Sequence, residues 1–279
     1  MPNFGGLRVL TFESRRASEL ASLISTYGGT PMLAPALREV PLDSNAEALE
    51  FAAGLIRGDF DITIFLTGVG TRTIADVIEP QYSRAVFSEA LRRTRVVARG
   101  PKPVAALREL QVPVWASAPE PNTWREVIAS VDANFGSQLT GIRIAVQEYG
   151  VSNVELLDAL RARGAVVTRV PVYRWALPDN LGPLRDAVTA IADGGVDVVL
   201  FTTGVQLVHL WQIVEEMQRE DDVRRGLQRA VVVSIGPTTT EELQRHNLAA
   251  DFEPSHPKMG VLVREAAERS GEMLRAKRK

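Results

Sequence analysis

The sequence contains no cysteine. This excludes a disulfide framework, a thiolate nucleophile and a cysteine metal site, and leaves the redox compartment unmarked by thiols. Histidine is scarce too: His209, His246 and His256 stand far apart and without metal-ligand spacing. A lone histidine is more often a packed or surface residue than a ligand. No apolar run approaches the length of a membrane span. The start, MPNFGGLRVLTFESRR, lacks a basic segment followed by a long apolar core. Net charge is −2, so no bulk field invites nucleic acid or an acidic membrane, although a local basic cleft is allowed. The basic tail Arg275 to Lys279 reads as favourable charge at a helix end rather than as a nucleic-acid arm. These absences describe a soluble, cytoplasmic chain with no membrane, no nucleic acid, no metal and no cofactor.

What is present is ordinary in amount and unusual in order. An apolar fraction of 45% and a charged fraction of 24% are those of a globular protein, and 279 residues suit one or two domains. The stretch Asp197 to Glu215, DVVLFTTGVQLVHLWQIVE, has a short apolar run ending at Thr202-Thr203-Gly204, then apolar positions at helical spacing. That is a strand buried on both faces turning into a helix. The same sentence is written earlier as DITIFLTGVGTRTIADVIE, Asp61 to Glu79, with Phe65 falling on Phe201 at a shift of 136. One shift of 135 or 136 also lays Val96–Pro101 on Val232–Pro237, Arg8 on Arg143 and Pro35 on Pro171. The chain is a tandem duplication of one α/β unit.

In each copy strands alternate with helices, which predicts two similar doubly wound parallel-sheet domains of the α/β class. Strands are expected at Leu7–Phe12, Thr30–Leu33, Asp61–Phe65, Arg95–Ala98 and Val112–Trp115, and again at Ile142–Gln147, Val166–Val170, Val198–Phe201, Ala230–Ile235 and Ala250–Glu253. Helices include one opening at Ser14 as N-cap, Asp43–Arg57, Ser83–Arg93, Thr123–Val131, Asn153–Arg163, Leu184–Ala192, Thr238–His246 and Met259–Glu268. Prolines bound the extended pieces Ala34–Pro41 and Pro171–Pro178, marking connectors rather than central strands.

Ligands of doubly wound sheets sit outside the carboxyl ends of the strands. There the sequence offers Thr67 and Gly68, Arg99 and Lys102, Thr202, Thr203 and Gly204, and Thr238 and Thr239. These are glycines, hydroxyls and free helix amides with little acid or base. Two such rims facing across a ligand cleft suit a large anion better than a compact catalytic triad. Gly68-Val69-Gly70 lacks the remainder of a dinucleotide or phosphate-loop fingerprint. Glu148-Tyr149 at a strand end reads as surface or binding. Tyr173 and Trp175 read as packing at a domain joint, with Tyr173 also carrying a weakly acidic hydroxyl.

The run SIGPTTTEELQRHNLAADFEPSHPKMGVLVREA, with FTTGV at 201 to 205 and PVYRW at 171 to 175, resembles the uroporphyrinogen-III synthase family. The resemblance implies that the first β-α-β segment folds with the C-terminal part. Residues 1–36 plus 174–279 then form one domain and 41–170 the other, with 34–41 and 171–178 as a paired, two-stranded linker about which they pivot. It implies cyclisation of hydroxymethylbilane, a linear tetrapyrrole with eight carboxylates, to uroporphyrinogen III, with loss of water and inversion of the last pyrrole ring. Tyr173 matches the family's tyrosine and would donate a proton. Thr238 and Thr239 match its Thr-Thr. Thr202, Thr203 and Gly204 would hold acetate or propionate arms, and a monomer is expected. Two departures stand out: Thr11-Phe12-Glu13-Ser14-Arg15-Arg16 replaces a Thr-Arg, and Arg99-Gly100-Pro101-Lys102-Pro103 stands where a threonine follows Val-Gly. The second trades a hydroxyl for a cation able to meet a carboxylate. A two-domain ligand-binding or regulatory module of the same fold, without synthase activity, is the alternative.

Overall fold

A computed structural model describes residues 1–42, 45–148, 150 and 152–279. The first copy runs β1 (Arg8–Thr11), α1 (Ala17–Thr26), β2 (Thr30–Leu33), β3 (Arg38–Pro41), α2 (Ala46–Arg57), β4 (Ile62–Phe65), α3 (Gly68–Ile78), α4 (Arg84–Arg92), β5 (Arg95–Ala98), α5 (Pro101–Glu109), β6 (Ala116–Ser117) and α6 (Trp124–Phe135). The second repeats the order as β7 (Arg143–Gln147), α7 (Val154–Ala162), β8 (Val166–Val170), β9 (Tyr173–Ala176), α8 (Gly182–Ala192), β10 (Val198–Phe201), α9 (Gly204–Glu216), α10 (Glu220–Arg229), β11 (Val231–Ser234), α11 (Pro237–Arg245) and α12 (Met259–Lys277).

The chain divides into two compact units, residues 1–38 with 176–279, and residues 39–175. Each sheet mixes the copies. In the first unit the parallel order is β11-β10-β1-β2, with Val9 opposite Val198 and Leu10 opposite Val199. In the second it is β6-β5-β4-β7-β8, with Ile62 opposite Ile144. The β-α-β segment that opens each copy therefore adds its strands to the sheet of the other copy. Strands β3 and β9 pair in a two-stranded sheet of their own, and the chain passes between units once in each of them.

Equivalent ion pairs fasten the two exchanged segments. Arg8, opening β1, donates from its main-chain N at 2.9 Å and its Nε at 3.1 Å to the Asp197 carboxylate just before β10. Arg143, opening β7, does the same to Asp61 at 2.8 and 3.1 Å.

The strands are apolar without alternation because both faces are covered. In the first unit Val9, Val198, Leu200 and Val233 pack with Leu20 of α1 and Leu262 and Ala266 of α12. Leu10, Val199, Phe201 and Val232 pack with Val188, Leu210 and Val223 on the other face. In the second unit Ile62, Ile64, Ile144 and Val146 meet α6 and α7, whereas Phe65, Val96, Ala98 and Ala145 meet Phe51, Ile74, Phe87 and Leu107.

Several local expectations are corrected. Ser14 does not cap α1, which starts after Arg16; its Oγ accepts from the Leu37 amide at 2.9 Å instead. Val112–Trp115 is not a strand: the edge strand is the two-residue β6, displaced past Pro113 and Trp115. Ala250–Glu253 forms only a single parallel bridge, Phe252 to Val233. Helix α12 continues to Lys277, and the basic tail is docked, with Lys277 Nζ 2.6 Å from Asp251 and Arg278 Nη2 2.9 Å from Asp197. The expected helix start at Asp43 and the residue Tyr149 lie outside the described residues.

Within α12 the Ser270 hydroxyl is buried and has no hydrogen-bond partner among the described residues. An unmade hydrogen bond at a buried hydroxyl costs about 1 kcal/mol or more, and alanine is the better helix former. Ser270→Ala is expected to stabilise the protein by about 1 kcal/mol, read as a higher urea midpoint at unchanged slope. A lower midpoint would show that the hydroxyl is satisfied.

Candidate functional site

In the first unit β1 feeds α1, which packs with α12 on one face, and its neighbour β10 feeds α9, which packs with α8 and α11 on the other. The second unit repeats this at β7 and β4, with α7 beside α6 and α3 beside α5. Where neighbouring strands send their helices to opposite faces, a crevice opens at their carboxyl ends. Each unit has one.

In the first unit Glu13 follows β1 and Thr202 follows β10. The Thr202 hydroxyl donates to Glu13 Oε2 at 2.6 Å and accepts from Gln206 Nε2 at 2.8 Å, while Gln206 Oε1 accepts from the Thr202 amide at 2.8 Å. Gln206 is fully buried. The only hydroxyl proton of Thr202 is thus committed inside the protein, which removes that hydroxyl as a donor to a substrate arm. Thr203 and Gly204, the N-cap and first residue of α9, contribute helix-start amides instead. Among the three threonines opening α11, Thr238 is exposed and Thr239 is 1% exposed. The Thr240 hydroxyl bonds to Ser234 and Glu253. Burial takes Thr239 out of the expected binding pair, leaving Thr238.

In the second unit Thr67 caps α3, its Oγ1 accepting from the Gly70 amide at 3.0 Å. Gly68 lies so close to α5 that a Cβ there would stand 2.5 Å from the Lys102 carbonyl oxygen. Gln147, at the end of β7, reaches the Thr67 amide at 3.4 Å, in space left by Gly70. Glu148 is buried, its carboxylate held by Arg169 Nε at 2.8 Å and Ser152 Oγ at 2.6 Å. Lys102 is exposed on the first turn of α5, and Arg99 is half-buried just before it.

Tyr173 lies beside the second unit's rim, its carbonyl oxygen accepting from the Gly150 amide at 3.1 Å. It is 6% exposed in β9, its ring in the core of the second unit and edge-on to Trp175 at 5.5 Å. His209 is structural, its Nδ1 2.7 Å from the Ala36 carbonyl oxygen. Among the described residues no group of His, Asp or Glu is arranged to hold a metal ion. No described helix is long and apolar enough to cross a membrane. Glu13 and Gln206 carry the first unit's crevice network, and the sequence reading did not single them out. Glu13 and Glu148 do occupy equivalent places in the two copies, a signal that the repeat shift contains.

A family model described as uroporphyrinogen-III synthase HemD matches residues 18–264. The chain belongs to the uroporphyrinogen-III synthase family. A putative uroporphyrinogen-III synthase of Methanothermobacter thermautotrophicus is 27% identical over 86% of this chain and 90% of its own length. The uncharacterized protein YjjA of Bacillus subtilis (strain 168) is also 27% identical, over 94% of this chain and 96% of its own. Among solved structures, a mutant uroporphyrinogen III synthase of Thermus thermophilus superposes with a TM-score of 0.72 at 22% identity, covering 96% of this chain and all of that one. That likeness establishes the family's α/β fold with parallel sheets for this chain.

Proposed function

We propose that the protein is a lyase that cyclises hydroxymethylbilane to uroporphyrinogen III, with loss of water and inversion of the last pyrrole ring. The observation carrying this reading is the family match across residues 18–264. The crevices support it, being lined with amides, hydroxyls and two cations rather than with a compact triad. In this reading Lys102, Arg99, Thr67 and Gly68 hold acetate and propionate arms in the second unit, and Thr203, Gly204 and Thr238 do so in the first. Bringing the two ends of a flexible chain together is chiefly an orientation problem, for which positioned contacts supply large rate factors. No cofactor or metal enters the scheme.

The deciding experiment supplies hydroxymethylbilane to the protein and separates the products. Type III isomer above the spontaneous type I product supports the synthase, whereas an unchanged mixture leaves a ligand-binding or regulatory module of the same fold.

Departure of hydroxide needs only a weak acid, and we assign that proton to the Tyr173 hydroxyl, delivered through solvent. Tyr173→Phe keeps the ring packed against Trp175, so it tests the hydroxyl alone. Turnover is expected to fall about tenfold with KM nearly unchanged. Unaltered turnover removes Tyr173 from the mechanism.

A further inference from the structure

The two crevices are copies of one another, and their carboxylates have been treated differently. Glu13 and Glu148 each stand two residues beyond the corresponding strand pairs, Thr11 opposite Leu33 and Val146 opposite Arg169. In the second unit Arg169 reaches across from β8 and matches the charge of Glu148, which is buried. The residue in the place of Arg169 in the first unit is Leu33, 40% exposed. Glu13 is only half-buried, and its hydrogen bonds come from neutral groups: the Thr202 hydroxyl on Oε2 and the Arg16 amide, at 3.2 Å, on Oε1. The Arg16 guanidinium acts on it only through space and is itself bonded to Glu19. Thr202 stands where the first copy has Leu66, and Gln206 where it has Gly70. The two copies therefore differ at both residues that aim this carboxylate.

A carboxylate hydrogen-bonded only by neutral donors has no guanidinium on its oxygens and keeps spare lone pairs. At the mouth of a crevice it suits N–H donors and developing positive charge rather than another anion. We propose that Glu13 is a catalytic residue that accepts the pyrrole N–H of the substrate's hydroxymethyl-bearing ring and stabilises the cation formed there; this rests on the synthase reading. As the C–O bond breaks, its electron pair leaves with hydroxide, which takes a proton from solvent and becomes water. The positive charge spreads over the ring and its N–H, whose hydrogen bond to Glu13 strengthens as the charge develops. The bridged α-carbon of the other terminal ring attacks, forming a C–C bond and a spiro centre and taking over the positive charge. The older bond from that carbon to its bridging carbon then breaks, leaving the cation on the bridging carbon, and the same ring's free α-carbon captures it. The proton of that free position leaves to water as the inverted ring regains aromaticity. The second unit's crevice, with its carboxylate neutralised and Lys102 at its edge, is left to take acidic arms. Duplication has thus produced one anion-accepting crevice and one cation-accepting crevice.

The test compares Glu13→Gln and Leu33→Arg with the unaltered protein, measuring kcat and KM for type III product. Glutamine keeps an acceptor for Thr202 and for the Arg16 amide but carries no charge. Leu33→Arg leaves Glu13 in place and supplies the guanidinium that Arg169 gives Glu148, with Leu33→Met as the size control. Both Glu13→Gln and Leu33→Arg are expected to lower kcat about tenfold with KM changed less than about twofold, and Leu33→Met to leave both alone. Urea midpoints separate a folding defect in Glu13→Gln from a catalytic one, because Leu33→Arg adds an ion pair and removes none. An active parent whose kcat survives either Glu13→Gln or Leu33→Arg overturns the assignment of Glu13 and leaves the synthase reading standing. A parent that forms no excess of type III overturns the synthase reading itself.

Discussion

Gly226→Ala is expected to destabilise the first unit by about 3 kcal/mol, against the roughly 1 kcal/mol gain that helix propensity alone would give. Gly226 is buried in α10 where that helix crosses α8. A Cβ at this position would lie 2.0 Å from the Ile191 carbonyl oxygen and 2.7 Å from its carbon. Both atoms are backbone at the end of α8, and the oxygen already accepts from the Gly194 amide at 3.1 Å. No side-chain rotation relieves the contact, so the helices must separate. Leu184, Val188 and Ile191 then lose close packing with Val223 and Leu227, which belong to the same core. The melting temperature should fall by on the order of 10 °C. Fluorescence of Trp211, the tryptophan of this unit, follows the transition. A variant that melts higher than its parent would mean that the backbones are not so close.

The position also shows what the sequence could and could not carry. Its counterpart in the first copy is Ala90, buried in α4. The repeat pattern therefore predicts a small residue, while the demand for glycine comes from how closely two particular helices approach. Helix α10 itself escaped the reading: its first turn is Glu220, Asp221 and Asp222, and its buried residues are only Val223, Gly226 and Leu227. Shifting the recognised helix at Ser83–Arg93 by one repeat would have found it.

The strands were legible because burial on both faces writes them as short apolar runs. Their partners were not. A repeat shift says that β1 resembles β7 and β4 resembles β10, yet β1 could join either sheet with the same burial and the same Arg–Asp contact at its start. The exchange was expected on resemblance alone. The crevice chemistry was legible only as a set of residue types. Whether a threonine at these turns stays exposed, like Thr238, or has its hydroxyl consumed, like Thr202, depends on neighbours such as Glu13 and Gln206, distant from one another in sequence.

Asp197→Ala is expected to cost about 2–3 kcal/mol at neutral pH, more than Asp61→Ala at the equivalent place in the other unit. Asp197 is 6% exposed. It receives the Arg8 main-chain N–H and both arms of the Arg8 guanidinium, with Nη2 at 3.2 Å, and Arg278 from the end of α12 at 2.9 Å. It thus ties the exchanged strand β1, the strand β10 and the last helix to one carboxylate. Alanine leaves the Arg8 amide without its acceptor and frees two guanidiniums that are 44% and 34% exposed and so partly recover water. That recovery holds the loss below the 3–5 kcal/mol typical of a fully buried pair broken on one side. Asp61 is 36% exposed and takes its ion pair from Arg143, with Arg95 acting only at longer range, so solvent replaces more of what its removal takes away.

The pH dependence has a definite sign. Burial by itself raises the Asp197 carboxyl, but the Arg8 side chain and amide, with Arg278, outweigh it and hold the group below the usual carboxylate range. A carboxyl depressed in the folded state contributes stability above its unfolded pKa of about 3.9, and that contribution disappears as pH falls through the folded value. The gap in stability between parent and Asp197→Ala should therefore be widest near neutral pH and narrow below about pH 4. Asp197→Asn, which keeps an acceptor for the Arg8 amide and gives up the charge, should fall between them at pH 7 and approach the parent in acid. A gap that stayed constant down to pH 3 would assign the loss to packing or to the amide bond, and take the ion pairs out of the clasp between β1 and β10.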